Sequence, residues 1–252
     1  MQYEIKKFKD GQVAGKILSE GNLDLKIRGN SYEDLFSAAT VKEAWDAENT
    51  RNKEASSSLT LLCLIGQRSD RRFNKHESFD LKVIARFINS MRFDAVQILH
   101  PHSAVSLALI DNAIALDHFS YVEKAYRAVG SPTLVSPDAG AYKGTHHIAE
   151  RLQADLVPSN KVRIDGLPSI SIQGDVKSKD CLIVDDLADG GRTFKILAQA
   201  LKEQGASKVF LYVTHAQFNY GFEELKESID RVFCTNSYRN IDDNFVTQFE
   251  VI

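Results

Sequence analysis

The chain has 252 residues, 43% of them hydrophobic, and a formal net charge of −3, which fits one or two globular domains with a sizeable core and excludes a general attraction to nucleic acid or acidic membranes. Its three cysteines, Cys63, Cys181 and Cys234, are widely spaced in or beside apolar runs, predicting buried thiols in a reducing compartment rather than metal ligands. The first residues, Met1-Gln2-Tyr3-Glu4-Ile5-Lys6-Lys7, are too polar for a signal peptide, and no apolar run reaches membrane-spanning length, so a cytoplasmic protein is expected.

Residues 3–28 read as short strands with a turn at Asp10-Gly11. Asn30 or Ser31 is placed to cap a helix over 32–45, followed by a polar loop or frayed end over 46–58. A buried strand is expected over 59–65, a polar loop over 67–77, and a helix over 79–91 with Leu81, Ile84, Ala85 and Ile88 on one face. A strand over 95–99 delivers His100-Pro101-His102. The pattern then restarts: helix 121–128, strand 133–136, helix 146–152 and a strand edge at 155–158. Further strands are expected at 181–184, 209–214, 231–236 and 244–251, with helices at 194–201 and 222–228. Alternating strands and helices predict parallel α/β architecture, and two such blocks predict two doubly wound domains, 1–116 and 117–252.

The most informative stretch is Cys181-Leu182-Ile183-Val184-Asp185-Asp186-Leu187-Ala188-Asp189-Gly190-Gly191-Arg192-Thr193-Phe194. It reads as a buried strand, an acidic and glycine-containing loop, then a helix that stops at Gly205. In open α/β sheets ligands bind at the carboxyl ends of strands, and a helix N-terminus there favours an anion. Glycines let backbone N–H groups approach a phosphate, and carboxylates suit sugar hydroxyls or a hydrated cation. Three further loops follow expected strands: Gly66-Gln67-Arg68-Ser69-Asp70-Arg71-Arg72-Phe73, His100-Pro101-His102-Ser103-Ala104, and Ser136-Pro137-Asp138-Ala139-Gly140. Lys161 and Arg163 lie on a hydrophilic segment with little helix or strand signal, followed by Gly166 and Pro168. Each has a plainer reading: a solvated loop for Lys161 and Arg163, a structural histidine for His102, a turn residue for Asp138.

In this order the loops resemble those of the ribose-phosphate pyrophosphokinases, and the central stretch resembles the phosphoribosyl-diphosphate loop of phosphoribosyltransferases. The resemblance runs from about residue 59 to residue 236. It implies two tandem phosphoribosyltransferase-type domains with parallel sheets. The implied activity is Mg²⁺-dependent transfer of the β,γ-diphosphate of ATP to the C1 hydroxyl of ribose 5-phosphate. Arg68 and Asp70 match ATP-contacting residues, and His102 a histidine on the metal side of the ATP site. Asp138 matches an acid near metal and ribose; Asp185, Asp186 and Asp189 match the acids that hold the ribose hydroxyls, with Gly190, Gly191, Arg192 and Thr193 completing the ribose-phosphate loop. Lys161 and Arg163 match the Lys-x-Arg pair of a catalytic loop. Phe8 and Gln12 match, more weakly, an aromatic and an acid that contact adenine from a neighbouring subunit, so a homo-oligomer is expected.

The chain departs from that pattern in two places. A strand–helix unit before the Phe8 region and a C-terminal helix are not found in it. In the central loop the usual Asp-Thr-small-Gly-Thr reads Asp189-Gly190-Gly191-Arg192-Thr193, so a hydroxyl is lost and a cation gained. Arg192 either crowds a compact terminal phosphate or pairs with an extended one, as in ADP-ribose. The resulting reading is a diphosphokinase whose substrates are ATP and a ribose phosphate. A phosphoribosyltransferase and a non-catalytic partner of a synthetase are the alternatives. The Arg68 loop, the Lys-x-Arg pair and the tandem architecture argue against the first, and the retained acids against the second.

Overall fold

The computed structural model describes residues 1–49, 54–164 and 167–251, and within these the side chains of 161–164 and 167–169 are outside the description. The chain divides into two units, Met1–Asp117 and His118–Ile252.

The first unit opens with an antiparallel hairpin of β1 (Tyr3–Lys7) and β2 (Val13–Ile17). Its turn is closed by the Phe8 N–H donating to the Gln12 carbonyl at 2.8 Å. Then come β3 (Leu23–Ile27), α1 (Tyr32–Asn49), β4 (Ser57–Leu61), α2 (Asp80–Ser90), β5 (Ala95–Leu99), α3 (Ala104–Leu109) and β6 (Ala113–Leu116). The sheet runs β3-β4-β5-β6, all parallel. Strand alternation turns Leu23, Leu25, Leu59, Leu61, Val96 and Ile98 into one core with Leu35, Ala38 and Val41 of α1 and Leu81, Ile84 and Ile88 of α2. Ser31 starts α1 by accepting the Asp34 N–H at 3.0 Å. A Cβ on Gly15 of β2 would lie 2.5 Å from the Val41 nitrogen, so only glycine lets the hairpin lie this close to α1.

The second unit contains α4 (Phe119–Ala128), β7 (Thr133–Ser136), α5 (Ala139–Leu152), β8 (Leu156–Ile164), β9 (Leu167–Ile172), β10 (Cys181–Ala188), α6 (Arg192–Glu203), β11 (Val209–Ala216), β12 (Arg231–Thr235) and β13 (Val246–Phe249). Its sheet order is β13-β12-β11-β10-β7-β8-β9, parallel except for the β8–β9 pair. The central strands are apolar on both faces. Cys181, Ile183, Leu211 and Val213 pack with Phe194, Leu197 and Leu201 of α6. Leu182, Val184, Phe210 and Tyr212 pack with Val122 and Ala125 of α4 and Ile148 of α5. Each fully buried aliphatic side chain contributes about 1.5–3 kcal/mol, so these two layers dominate the stability of the unit. From β7 the sheet grows to β8 on one side and to β10 on the other, which makes the carboxyl ends of β7 and β10 a topological switch point.

Several expectations are corrected. The segment carrying Lys161 and Arg163 is not an irregular loop: its backbone is strand, with Lys161 opposite Ile170 and Arg163 opposite Pro168 in the β8–β9 hairpin. Asp185 and Asp186 lie on β10 itself, because the ladder to β11 continues through the Leu187–His215 and Ala188–Ala216 pairs. Helix α5 begins at Ala139, well before the expected residue 146, and Arg192 is the first helical residue of α6. Residues 222–228 form successive turns rather than a helix, with the Leu225 and Lys226 N–H groups both reaching the Phe222 carbonyl. Strand β4 ends at Leu61: the Leu62 N–H still bonds the Ile27 carbonyl in the ladder's register, but the next N–H, of Cys63, turns to the same side and bonds the Arg28 carbonyl, which breaks the strand's alternation. Helix α3 and strand β6 occupy a stretch for which the sequence suggested no element.

Candidate functional site

Strand β10 carries Asp185 and Asp186 toward its carboxyl end. Asp185 is half-buried, and its carboxylate accepts the Asp186 N–H at 2.9 Å. Burial pushes its pKa up to about 8, and the nearby charges of Asp186 and Asp138 act in the same direction. Carboxylates that resist ionising together are well matched to hydroxyl donors or to a cation, either of which relieves the repulsion.

Asp138, just beyond β7, is the N-cap of α5. Its Oδ1 accepts the N–H groups of Gly140 at 3.0 Å and Ala141 at 3.1 Å. The cap fixes the Asp138 carboxylate near enough to Asp185 for its charge to be felt there.

Beyond Asp189, Gly191 caps α6 with a left-handed backbone at φ 79°, no side chain caps the helix, and no acid stands in its first turn. The helix therefore presents bare N–H groups and its positive end to this loop. Arg192 is exposed and, among the described residues, makes no hydrogen bond or ion pair, while Thr193 is half-buried behind it. The end of β11 backs the loop. A register shift between Val213 and His215 is satisfied by buried hydroxyls: Thr235 and Ser237 donate to the Thr214 carbonyl at 2.7 and 3.1 Å, and His215 Nδ1 meets Ser237 Oγ at 2.9 Å.

Asn219 and Tyr220 carry no motif that marks them in the sequence. Asn219 donates twice to Asp189, and Tyr220 lies over Gly190. The only available signal was the expectation that 209–214 is a buried parallel strand, whose following loop would stand at the same sheet edge as the acids.

In the first unit, Arg68 and Asp70 follow β4, and His102 follows β5. Gln67, which is buried, accepts the His102 N–H at 3.1 Å and so joins the two loops. Burial raises the Asp70 pKa. Arg71, bridged to it at 2.9 Å, outweighs burial together with Ser103 and His102, and the carboxyl is held below its usual range. Arg68 and His102 are exposed. Phe8 and Gln12 stand apart, both exposed on the β1–β2 turn, with Lys6 4.8 Å from the Phe8 ring.

His102 and Asp138, the expected metal-side residues, belong to different units, and among the described residues no group of three or more His, Cys, Asp or Glu is arranged to hold a metal. Cys63, Cys181 and Cys234 are buried free thiols; burial pushes Cys181 up to about 11 and Cys234 up to about 12, so neither of these two is a thiolate at neutral pH. Among the described residues no helix is long and apolar enough to cross a membrane.

A family profile described as "Phosphoribosyl synthetase-associated domain" matches residues 134–244, which include every second-unit site residue named above. The chain is 31% identical to the ribose-phosphate pyrophosphokinase of Vibrio parahaemolyticus over 181 residues, 68% of this chain and 57% of that protein. It is 26% identical to the ribose-phosphate pyrophosphokinase of Pyrococcus furiosus over 242 residues, 93% of this chain and 85% of that one. The chain thus spans little more than half the length of the Vibrio relative. The fold matches the phosphoribosylpyrophosphate synthetase of Mycobacterium smegmatis with a TM-score of 0.82 at 19% identity, covering 99% of this chain and 86% of that one. The matched profile spans the acidic strand end and its glycine loop, and the chain is similar in sequence to ribose-phosphate pyrophosphokinases and in fold to a phosphoribosylpyrophosphate synthetase.

Proposed function

We propose that this chain transfers the terminal diphosphate of ATP to the C1 hydroxyl of a 5-phosphorylated ribose and releases AMP. The observation that carries the reading is the pairing, at one switch point, of the Asp185–Asp186 strand end with the bare N-terminus of α6. The first suits sugar hydroxyls, the second a phosphate. The C1 oxygen attacks the β-phosphorus, the bond from that phosphorus to the α-phosphate oxygen breaks, AMP leaves with that oxygen, and the hydroxyl proton passes to solvent.

Such transfers spread negative charge over the moving group, so positioning and positive charge supply most of the catalysis. In this reading Lys161 and Arg163 stabilise that charge, and Arg68, Asp70 and His102 bind ATP. Mg²⁺ when bound neutralises phosphate charge. It prefers oxygen ligands and usually takes one or two carboxylates alongside phosphates and water, a need that Asp138 fits, with His102 as the second candidate. Phe8 and Gln12, exposed on their turn, would serve adenine bound by a neighbouring copy in a homo-oligomer.

The acceptor is ribose 5-phosphate or a longer relative of it. Arg192, exposed and without an ion-pair partner among the described residues, favours an acceptor extended by a second phosphate, such as ADP-ribose. Incubation with ATP and Mg²⁺ against a panel of ribose phosphates, with nucleotides separated by chromatography, tests the activity. AMP is the expected nucleotide product, and ADP as the sole product overturns the reading.

A further inference from the structure

The loop after β11 is fastened to the ribose-phosphate loop and holds a bare aromatic ring above it. Phe218, buried at 1% exposure with its backbone at φ 45°, packs on Phe222 with ring centroids 4.7 Å apart. Its carbonyl accepts from Arg239 at 3.2 Å and from the Gly221 N–H at 3.0 Å. Asn219 ties the turn to Asp189 through both its backbone and its side chain. Between these anchors, Tyr220 is 88% exposed. Its ring edge would lie 2.9 Å from a Cβ on Gly190, so the ring rests against the glycine and the rest of it faces solvent. A large apolar ring left open on a turn with this many anchors gains little from folding. It is positioned to gain from a ligand.

We propose that Tyr220 is a stacking platform for a purine base carried by the acceptor beyond its 5-phosphate, with Arg192 taking the second phosphate. The ring flanks the glycine loop at which the 5-phosphate would sit, so a group extending outward from that phosphate passes it. The ring's open surface offers a π-face, and the nearby arginine offers charge for a diphosphate bridge. Together they select a nucleoside-diphosphate-linked ribose over ribose 5-phosphate. The inference rests on the reading of this loop as a ribose-phosphate site.

Calorimetry of ADP-ribose and of ribose 5-phosphate binding to wild type, Tyr220→Ala and Tyr220→Trp tests it. Base–aromatic stacking is worth about 1–3 kcal/mol, so Tyr220→Ala should cut the preference for ADP-ribose about 5- to 150-fold, and Tyr220→Trp should restore it. A wild type that binds ADP-ribose no more tightly than ribose 5-phosphate overturns the inference, and so does an unchanged preference in Tyr220→Ala. AMP release is measured in parallel. If neither acceptor supports it while the binding pattern holds, diphosphate transfer is wrong and the stacking role of Tyr220 stands.

Discussion

Asn219 holds Asp189 at two points: its backbone N–H donates to the Asp189 carbonyl at 2.9 Å, and its side-chain amide donates to Asp189 Oδ1 at 2.7 Å. One loop thereby sets the orientation of an acid in the next. Asn219→Ala keeps the backbone bond and removes the one to the carboxylate. A hydrogen bond to a charged group contributes about 1.5–3 kcal/mol, less where water competes, so KM for the acceptor should rise roughly tenfold with kcat changed far less. Steady-state kinetics that show the loss in kcat alone would place Asp189 in chemistry rather than in binding.

Asp185 should trade stability for function. Its pKa rises on folding from 3.8 to about 8. Between those values the folded state holds a proton that the unfolded state has released, so the stability this group contributes falls as pH rises through the window. Asp185→Asn removes that dependence. Its Tm should exceed wild type at pH 8 by several degrees, at about 2–4 °C per kcal/mol, with a smaller gain at pH 5. Equal gains at the two pH values, or a loss at pH 8, contradict this account of the buried acid.

Lys161→Ala and Arg163→Ala should each lower kcat by roughly a hundredfold or more while weakening ATP binding much less, as expected for groups that act on transition-state charge. Near-wild-type turnover in both variants moves the catalytic cations elsewhere in the chain.

Gly191→Ala should damage the phosphate end of the site. The position has φ 79°, and an added Cβ would lie 3.2 Å from Leu225. The left-handed backbone costs a non-glycine residue about 1–2 kcal/mol, and α6 would start with a displaced first turn. Acceptor KM should rise while ATP KM stays close to wild type; the opposite pattern separates Gly191 from the acceptor site.

The central strands were legible in the sequence because both their faces are covered, so 181–184 and 209–214 appear as uncharged apolar runs. Legibility failed where burial did not set the sequence pattern, or where it did not settle the backbone. The β8–β9 hairpin is held by pairing with itself along Ser159–Ile164, and so shows no apolar run. Two acids end the apolar run of β10, yet the ladder continues past them to the sheet edge. The first half of α5 contains Gly140 and Gly144, which mask a helix started by the Asp138 cap. At 222–229, Phe222, Leu225 and Ile229 have helical spacing and are buried, but the backbone bonds belong to separate turns. In the site, the acids and the glycine loop were legible as residue types after a strand. Asn219 and Tyr220 were not, because their role follows from β11 lying next to β10.

The central claim is diphosphate transfer to C1 of a ribose phosphate, and the fate of a label tests it most directly. ATP labelled in its β-phosphate is incubated with Mg²⁺, the protein and either ribose 5-phosphate or ADP-ribose. The account predicts unlabelled AMP and a labelled, acid-labile C1-diphosphorylated sugar in equal amounts. Label retained in ADP, or label released as free diphosphate with the sugar unchanged, would contradict it.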